Sequence, residues 1–280
     1  MASILRKQFT DYMILRRFSP KTIEAYIGAV YGLAKFYHQS PDHLSNEQIQ
    51  TYLLHLIKER KLAWSSCNVA FSAFRCFYAR VLKWDNTRFH IPPRPRQKTI
   101  PLLLSIEEVE RLFKATPNIK HRALLMTTYG AGLRVSEVVH LKPHHIEGER
   151  MMIRVEQGKG KKDRYTILPQ SLLLELQAYW KACHPHSWLF FGRDKEMPMS
   201  IATAQRVFYN AKEKAGIKRG KGIHTLRHCF ATHLLDQGLD IYTIKQMMGH
   251  TALVTTSKYL HTTKEKIAAI NSPLDSLHIH

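Results

Sequence analysis

The segment that decides the fold reads MMIRVEQGKGKKDRYTILP and spans residues 151–169. Apolar and polar side chains alternate with a period of two at 151–156 and again at 164–168, which predicts two β-strands. The glycines and lysines at 158–162 predict a tight turn with a cationic tip. We therefore expect an antiparallel hairpin with helical segments on both sides of it.

Helical periodicity flanks this hairpin. Upstream, Ser105-Ile106-Glu107-Glu108 is a capping box that opens one helix, and residues 119–131 form a second, apolar helix. Downstream, an apolar stripe contains Leu172, Leu173, Leu176 and Trp180. Three further helices are expected to end at Gly216, Gly238 and Gly249. The segment 102–280 is thus predicted to be an α+β domain with a C-terminal tail.

The first 90 residues show helical patterns alone. Ser19-Pro20 combines a helix cap with proline at the first helical position, and Ser45-Asn46-Glu47-Gln48 is a capping box. Another apolar stripe extends from Cys67 to Val81, and a further helix is expected near residues 4–15. Residues 1–90 are therefore predicted to form a helical bundle, in a chain that is mainly α with a small antiparallel β-sheet.

Residues 91–101 separate these two parts. This segment is rich in proline, which keeps it extended, and it contains three cations, Arg94, Arg96 and Lys98. The cations can lie along a phosphate backbone, although a plain solvated linker is the alternative.

The net charge of +20 indicates an anionic partner, because self-repulsion at that level destabilises the folded chain. Thirteen lysines and arginines face six acids up to Pro92, and twenty-nine face sixteen afterwards. Both parts are positive, which favours a protein that encircles nucleic acid, while a ribosomal or merely solvated basic protein is the alternative. The sequence contains no run of about 18 apolar residues, so it predicts no membrane span. No signal peptide is recognised either. Four cysteines without CxxC spacing favour the reducing cytoplasm.

Several separated residues suit chemistry at a phosphate. Arg134 follows a glycine-rich turn in Gly130-Ala131-Gly132-Leu133-Arg134, and His224 and Arg227 share one face at a helix start, where anions bind. Lys159 lies at the hairpin tip, and His250 and Tyr259 follow. Each has an ordinary structural alternative. Arg134 can form a surface ion pair with Glu137, Lys159 can lie in a plain solvated turn, and Tyr259 can be a core residue. The sequence has no P-loop, no dinucleotide fingerprint and no zinc protease motif. We therefore expect no metal and no cofactor.

The ordered set resembles the tyrosine recombinases, or phage integrase family. The matching pieces are Gly130-Ala131-Gly132-Leu133-Arg134-Val135-Ser136-Glu137, Gly158-Lys159-Gly160, His224-Thr225-Leu226-Arg227-His228, Met248-Gly249-His250 and Tyr259. In size the chain is most similar to the Xer recombinases. Its flanking sequence also resembles integron integrases, without room for their extra helical insertion. The resemblance implies a SAM-like core-binding domain in the first 90 residues and a recombinase catalytic domain from residue 102.

The resemblance also implies a mechanism. Tyr259 attacks a DNA phosphodiester and forms a 3′-phosphotyrosine, which a 5′-hydroxyl can later reverse. Arg134 and Arg227 hold the non-bridging oxygens, and His224 and His250 add hydrogen bonds. Lys159 protonates the leaving oxygen, and Lys161 and Lys162 beside it are expected to contact DNA.

The implied partner is double-stranded DNA, bound by a homo-tetramer on two sites, with an accessory recombinase or a DNA-bending factor as an open further partner. We expect the protein to recombine DNA for a mobile genetic element, with Xer-type chromosome or plasmid dimer resolution as the alternative. A type IB topoisomerase, a catalytically silent DNA-binding protein and a metal-dependent nuclease are further alternatives. The apolar cluster 267–270 in the tail is expected to dock either on a neighbouring subunit or on its own domain.

Overall fold

The computed structural model describes residues 3–92, 103–156 and 163–249. The chain divides into two compact units, Met1–Lys98 and Thr99–His280. The first unit is helical throughout its described part, and the second combines helices with a small sheet. This is the mainly α architecture with a minor antiparallel sheet that the sequence predicts.

The first unit contains four α-helices within residues 3–92. They are α1 (Ser3–Leu15), α2 (Pro20–Tyr37), α3 (Asn46–Lys58) and α4 (Trp64–Cys76). The Ser19 hydroxyl accepts a hydrogen bond from the Thr22 amide at the start of α2, and Ser45 forms the expected capping box with Gln48. Caps at these positions satisfy amides that would otherwise lack partners.

A π-helical turn, Phe77–Val81, continues α4. It carries Phe77 and Tyr78 into the core, where they pack with Phe9 and Phe74, and all four side chains are buried. The Tyr78 hydroxyl donates to the Pro41 carbonyl, so its polar end is satisfied. Sequence periodicity extended the helix to Val81 without indicating the change of helical type.

The second unit has seven α-helices in residues 103–156 and 163–249. They are α5 (Ile106–Lys114), α6 (Ile119–Gly130), α7 (Val135–Val138), α8 (Gln170–Cys183), α9 (Ile201–Lys214), α10 (His224–Asp236) and α11 (Ile241–Met248). Helix α6 packs against α8 and α10, and α11 packs against α10 and the sheet. The core therefore surrounds α6 and the first turns of α10.

The sheet has three antiparallel strands in the order β1–β2–β3. They are β1 (Ile146–Glu147), β2 (Met152–Val155) and β3 (Arg164–Ile167). Ile153 pairs with both Ile146 and Thr166, so β2 is central. The hairpin is confirmed, and β1 is an addition, because a two-residue strand is too short to show periodicity.

Two apolar side chains differ from the predicted pattern. Trp180, assigned to the buried stripe of α8, is 49% exposed, and its neighbour Tyr179 is buried instead. The Tyr179 hydroxyl donates to the Leu189 carbonyl, which lets this ring occupy the core without an unsatisfied group. The prediction for Trp180 was wrong, because helical spacing alone does not distinguish adjacent aromatic residues at the edge of a stripe.

The described helices include none with the length and apolar content that a membrane crossing requires. All four cysteines are free thiols. Cys67 is buried, as expected, whereas Cys76 is only partly buried.

Candidate active site

Arg134 is positioned by a turn that only glycine can make. Gly132 precedes it by two residues and has φ +60°, and a Cβ at this position would overlap the Phe230 ring. The turn leads into α7, with Arg134 as the residue that caps it. The sequence predicted a tight glycine turn here, and the structure adds that the close neighbour is an aromatic ring of α10.

Arg227 and His224 are placed by the first turn of α10. Gly222, with φ +81°, reverses the chain, and the Gln205 side chain accepts a hydrogen bond from the Ile223 amide at 3.0 Å. Arg227 faces inward and is 4% exposed, whereas His224 lies at the exposed start of the helix. The Arg227 guanidinium donates to the Gly132 carbonyl, so the turn before Arg134 and the first turn of α10 are directly bonded.

A buried carboxylate, Glu137, joins the arginines. The Arg134 guanidinium lies 2.7 Å from it, and Arg227 lies 3.7 Å from it. A third arginine, Arg164 on β3, binds both of its oxygens, at 3.0 and 2.8 Å. The two arginines that the sequence singled out are therefore brought to one point, and Arg164 is a residue that sequence reasoning missed.

The same three arginines also bind the C-terminal end of α11. Arg164 Nε donates to the Met247 carbonyl at 2.8 Å, and Arg227 donates to the Met248 carbonyl at 2.6 Å. Arg134 donates to the Gly249 carbonyl at 3.2 Å. Helix C-termini leave carbonyls unpaired and carry partial negative charge, so cations stabilise them. These contacts fix the backbone immediately before His250.

Among the described residues, the charges at this point do not balance. Within that part of the chain, three guanidinium groups face one carboxylate and the partial charge of a helix end. Burial raises the pKa of Glu137, but hydrogen bonds and charge from Arg164 and Arg134 outweigh it and lower that pKa to about 2. Glu137 is therefore ionised at neutral pH, and the remaining positive charge suits an anion such as a phosphodiester.

His224 is held neutral near these cations. Partial burial of the ring lowers the pKa of His224, and the charges of Arg227 and Arg134 lower it further. A neutral imidazole can accept a hydrogen bond or a proton. The charges of both arginines and of Glu137 therefore reach His224.

A cleft of about 620 Å³ opens beside Arg134. Its lining includes Arg134, Lys142 and Trp188, with the Lys142 ammonium over the Trp188 ring at 5.7 Å. The cleft therefore combines cations with an apolar face. It lies next to the group formed by Arg134, Arg164 and Arg227, which we call the arginine cluster.

His144, His145 and Glu156 form the one group in the described ranges whose donor atoms are close enough to hold a metal ion. The Lys142 amide donates to His145 Nδ1 at 3.2 Å. Burial lowers the pKa of His145, so the ring is neutral and its proton lies on Nε2, facing Glu156 at 3.4 Å. That nitrogen is buried and has no hydrogen-bond partner among the described residues, so its contact with Glu156 is electrostatic.

The remaining predicted residues lie outside the described part of the chain. They are Lys159, His250 and Tyr259 of the catalytic set, and Arg94, Arg96, Lys98, Lys161 and Lys162 of the DNA-contact set. The tail cluster 267–270 lies outside it too. Their roles stay predictions.

Family comparisons match both parts of the chain. The phage integrase family model matches residues 103–266. A second model, the N-terminal SAM-like domain of phage integrases, matches residues 5–87.

Individual relatives agree along nearly the whole length. A putative integrase/recombinase, y4qK, of Sinorhizobium fredii is 38% identical and covers 98% of this chain and 89% of its own. The tyrosine recombinase XerA of Thermococcus kodakarensis is 33% identical over 93% of this chain and 92% of its own.

Solved structures show the same fold. A crystal structure of XerA recombinase, 27% identical, covers 96% of both chains with a TM-score of 0.56. A lambda integrase dimer bound to a COC′ core site, 17% identical, has a TM-score of 0.75 and covers 93% of this chain and 95% of its own. With a family model that matches more than half of its residues, the chain belongs to the phage integrase family and is a tyrosine-type site-specific DNA recombinase.

Proposed function

We propose that the protein exchanges DNA strands without a metal, through a covalent bond between Tyr259 and a DNA 3′-phosphate. The observation that carries this proposal is the convergence of Arg134 and Arg227 on Glu137, where positive charge exceeds negative charge among the described residues. The charges of both arginines also act on His224, and the carbonyls that they bind immediately precede His250.

The reaction is a transesterification in two balanced steps. The Tyr259 oxygen bonds to phosphorus as the bond to the 5′ oxygen breaks, and the phenol proton leaves through His224. Lys159 gives a proton to the departing 5′ oxygen. A different 5′-hydroxyl then attacks the phosphotyrosine and gives its proton to Lys159, while His224 returns a proton to the departing phenol oxygen. The number of phosphodiester bonds is unchanged, so no ATP is needed.

Arg134 and Arg227 act on the charge that develops at phosphorus. A pentacoordinate phosphorane carries more negative charge on its non-bridging oxygens than the substrate does, so fixed donors stabilise it more. Removal of one preorganised donor of this kind typically costs about 3–4 kcal/mol of barrier. His224 and His250 supply further hydrogen bonds to the same oxygens.

We propose three functional parts: residues 1–90 as the core-binding domain, 91–101 as the linker, and 102–280 as the catalytic domain with its tail. The division into compact units between Lys98 and Thr99 supports this arrangement, as do the two matched ranges. Arg94, Arg96 and Lys98 of the linker, with Lys161 and Lys162 of the hairpin turn, contact phosphates.

The substrate is double-stranded DNA, and the active assembly is a homo-tetramer on two DNA sites. The net charge of +20 supports DNA as partner. Similar structures also support it: XerH bound to its difH substrate, and lambda integrase bound to a core site. The tail cluster 267–270 docks on a neighbouring subunit or on its own domain, and the free thiols support a reducing, cytoplasmic setting.

The biological role that we favour is service to a mobile element. Integrase/recombinase relatives and the similar structure of the Tn1549 transposon integrase support it. The alternative is Xer-type chromosome or plasmid dimer resolution, with a partner recombinase or a DNA-bending factor, and the XerA relatives support the likeness to Xer recombinases.

The experiment is covalent trapping on DNA that flanks the gene for this chain. Nicked duplex fragments that lose a short strand after cleavage are incubated with the full chain in EDTA, and protein–DNA adducts are counted on denaturing gels. We expect adducts at a small set of sequences and no dependence on added magnesium. Adducts that require magnesium, or cleavage without any adduct, would contradict the proposal.

A further inference from the structure

We propose that Arg164 is a positioning residue for strand exchange: it holds Glu137, and through Glu137 it holds Arg134, against the end of α11. The inference rests on the proposed function, because it assigns a task within the same site. Arg164 itself is directed at protein groups, so its effect on the reaction passes through other residues.

The contacts of Arg164 connect three elements. Its two terminal nitrogens bind the two oxygens of Glu137 on α7, at 3.0 and 2.8 Å, and its Nε binds the Met247 carbonyl on α11. The residue begins β3 and pairs with Val155 at the end of β2. The strand on which it lies directly follows the hairpin turn that contains Lys159.

Packing leaves the Arg164 side chain little freedom. Its side chain is 10% exposed. Gly249, with φ +61°, lies against it, and a Cβ at that position would stand 2.9 Å from Arg164 Cδ. The guanidinium is therefore clamped between Glu137 and the backbone that precedes His250, a geometry that suits a rigid planar fork.

Charge explains why this fork matters for the reaction. Glu137 is a carboxylate within reach of Arg134 and Arg227, and it competes with a substrate phosphate for both of them. Because Arg164 occupies both oxygens of Glu137, part of that negative charge is already neutralised. Without the fork, Glu137 would draw Arg134 and Arg227 toward itself, and both would be less well oriented for phosphate.

A lysine at this position cannot reproduce the arrangement. Its single ammonium can approach Glu137 but cannot span both carboxylate oxygens and reach the Met247 carbonyl at the same time. Arg164→Lys therefore keeps the charge and removes the geometry, which separates positioning from simple neutralisation.

The chain offers a matched control in Arg122. This arginine makes a similar fork on Glu175, at 2.8 and 3.3 Å, which joins α6 to α8. The pair makes the same kind of bond as Arg164 with Glu137, and none of its hydrogen bonds involves Glu137 or α11. Arg122→Lys thus reports the cost of losing a fork that only supports the fold.

The test measures three quantities on the full chain: the melting temperature, the Kd for duplex DNA, and the single-turnover rate of covalent adduct formation. For Arg164→Lys we expect a Kd within about twofold of wild type and a rate about 10–100-fold lower, the range typical for loss of a residue that orients a functional group. For Arg122→Lys we expect a rate within about twofold of wild type.

A double variant tests the route through Glu137. If Arg164 acts by holding Glu137, Arg164→Lys combined with Glu137→Gln slows the rate no more than the worse single variant, because coupled residues are not additive. Effects that multiply would overturn the inference. It would also be overturned by a normal rate in Arg164→Lys, or by a rate loss that only follows the fraction unfolded.

Measurements on the wild-type protein separate failure of the proposed function from failure of the positioning role of Arg164. If wild type forms adducts and Arg164→Lys does so at the same rate, the positioning inference fails alone. If wild type forms none on the trapping substrates, the proposed function fails, and the inference fails with it.

Discussion

At the scale of single residues, Gly132 is constrained by both its backbone and its neighbours. Its φ of +60° is unfavourable for other residues, and any Cβ would meet the Phe230 ring. Its carbonyl also receives the Arg227 guanidinium. A side chain at this position would therefore disturb the turn that ties Arg134 to Arg227.

Gly132→Ala is expected to lower the free energy of unfolding by at least about 2 kcal/mol, from left-handed strain plus overpacking. Gly216→Ala is the matched control, because Gly216 has φ +66° with no atom near the added methyl, and about 1 kcal/mol is expected. Denaturant unfolding of both variants measures the difference. Equal losses would show that the Phe230 contact is unimportant.

Glu137 makes stability depend on pH in a defined direction. Its folded pKa of about 2 lies below the ordinary 4.5, so ionised Glu137 stabilises the fold above about pH 4.5, and this contribution disappears as the pH falls toward 2. The full contribution is on the order of 3 kcal/mol. We expect Glu137→Gln to be less stable than wild type near pH 6, and the difference to shrink between about pH 5 and pH 2.

Chemical denaturation across that pH range provides the measurement. Glu110→Gln is the control, since Glu110 pairs with Lys114 at the surface, where ion pairs contribute little. A stability difference for Glu137→Gln that stays constant from pH 6 to pH 2 would contradict the assigned charge state.

Strand β3 shows where prediction from sequence fails at this scale. Tyr165 and Ile167 are its apolar residues, yet they are 44% and 39% exposed. Thr166 is buried, with its hydroxyl bonded to the Ala131 carbonyl, and Arg164 points the same way. The polar face is inward because it meets a carboxylate and backbone carbonyls, and no local pattern contains those partners.

At the scale of elements, α11 links the fold to the site. Three successive carbonyls at its C-terminal end, those of residues 247–249, each accept a hydrogen bond from one arginine of the cluster. Asp240 caps its other end by accepting the Tyr242 and Thr243 amides at 2.8 and 2.9 Å. Fraying of this helix would therefore loosen the acceptors that hold the arginine cluster.

Asp240→Ala is expected to lose about 1 kcal/mol of stability, as helix caps do, and to slow adduct formation. Ser200→Ala is the control: Ser200 caps α9 through the Thr203 amide at 3.0 Å, and a similar stability loss without a slower reaction is expected. Both variants are compared by thermal unfolding and by the single-turnover assay. A reaction slowed equally in both would mean that α11 has no special part.

Elements were more predictable than their contacts. Caps and periodicity located α2, α3, α5 and the hairpin, because these signals are local. The two-residue β1 escaped notice because it is too short to show periodicity. The change to a π-helical turn after α4 escaped notice because periodicity does not distinguish one helical type from another. In the candidate site, residue types at characteristic spacing singled out Arg134, His224 and Arg227, and the structure brings both arginines to Glu137. Glu137 as their shared partner required the folded chain.

At the scale of the whole molecule, the separate signals combine into one function. Family membership establishes a recombinase. The arginine cluster provides an electropositive point beside Gly249, the residue before His250. We propose that the net charge of +20 gives DNA a general attraction and that the cluster gives one phosphate a specific place. In this proposal, Tyr259 supplies the nucleophile for that phosphate.

The most direct test is to identify the residue that carries the DNA. Adducts trapped on nicked duplex are digested with protease and nuclease, and mass spectrometry locates the peptide that retains a nucleotide 3′-phosphate. We expect the nucleotide on Tyr259, and we expect Tyr259→Phe to bind the same duplex with similar affinity but to yield no modified peptide. A nucleotide attached to any other residue, or adducts that persist in Tyr259→Phe, would contradict it.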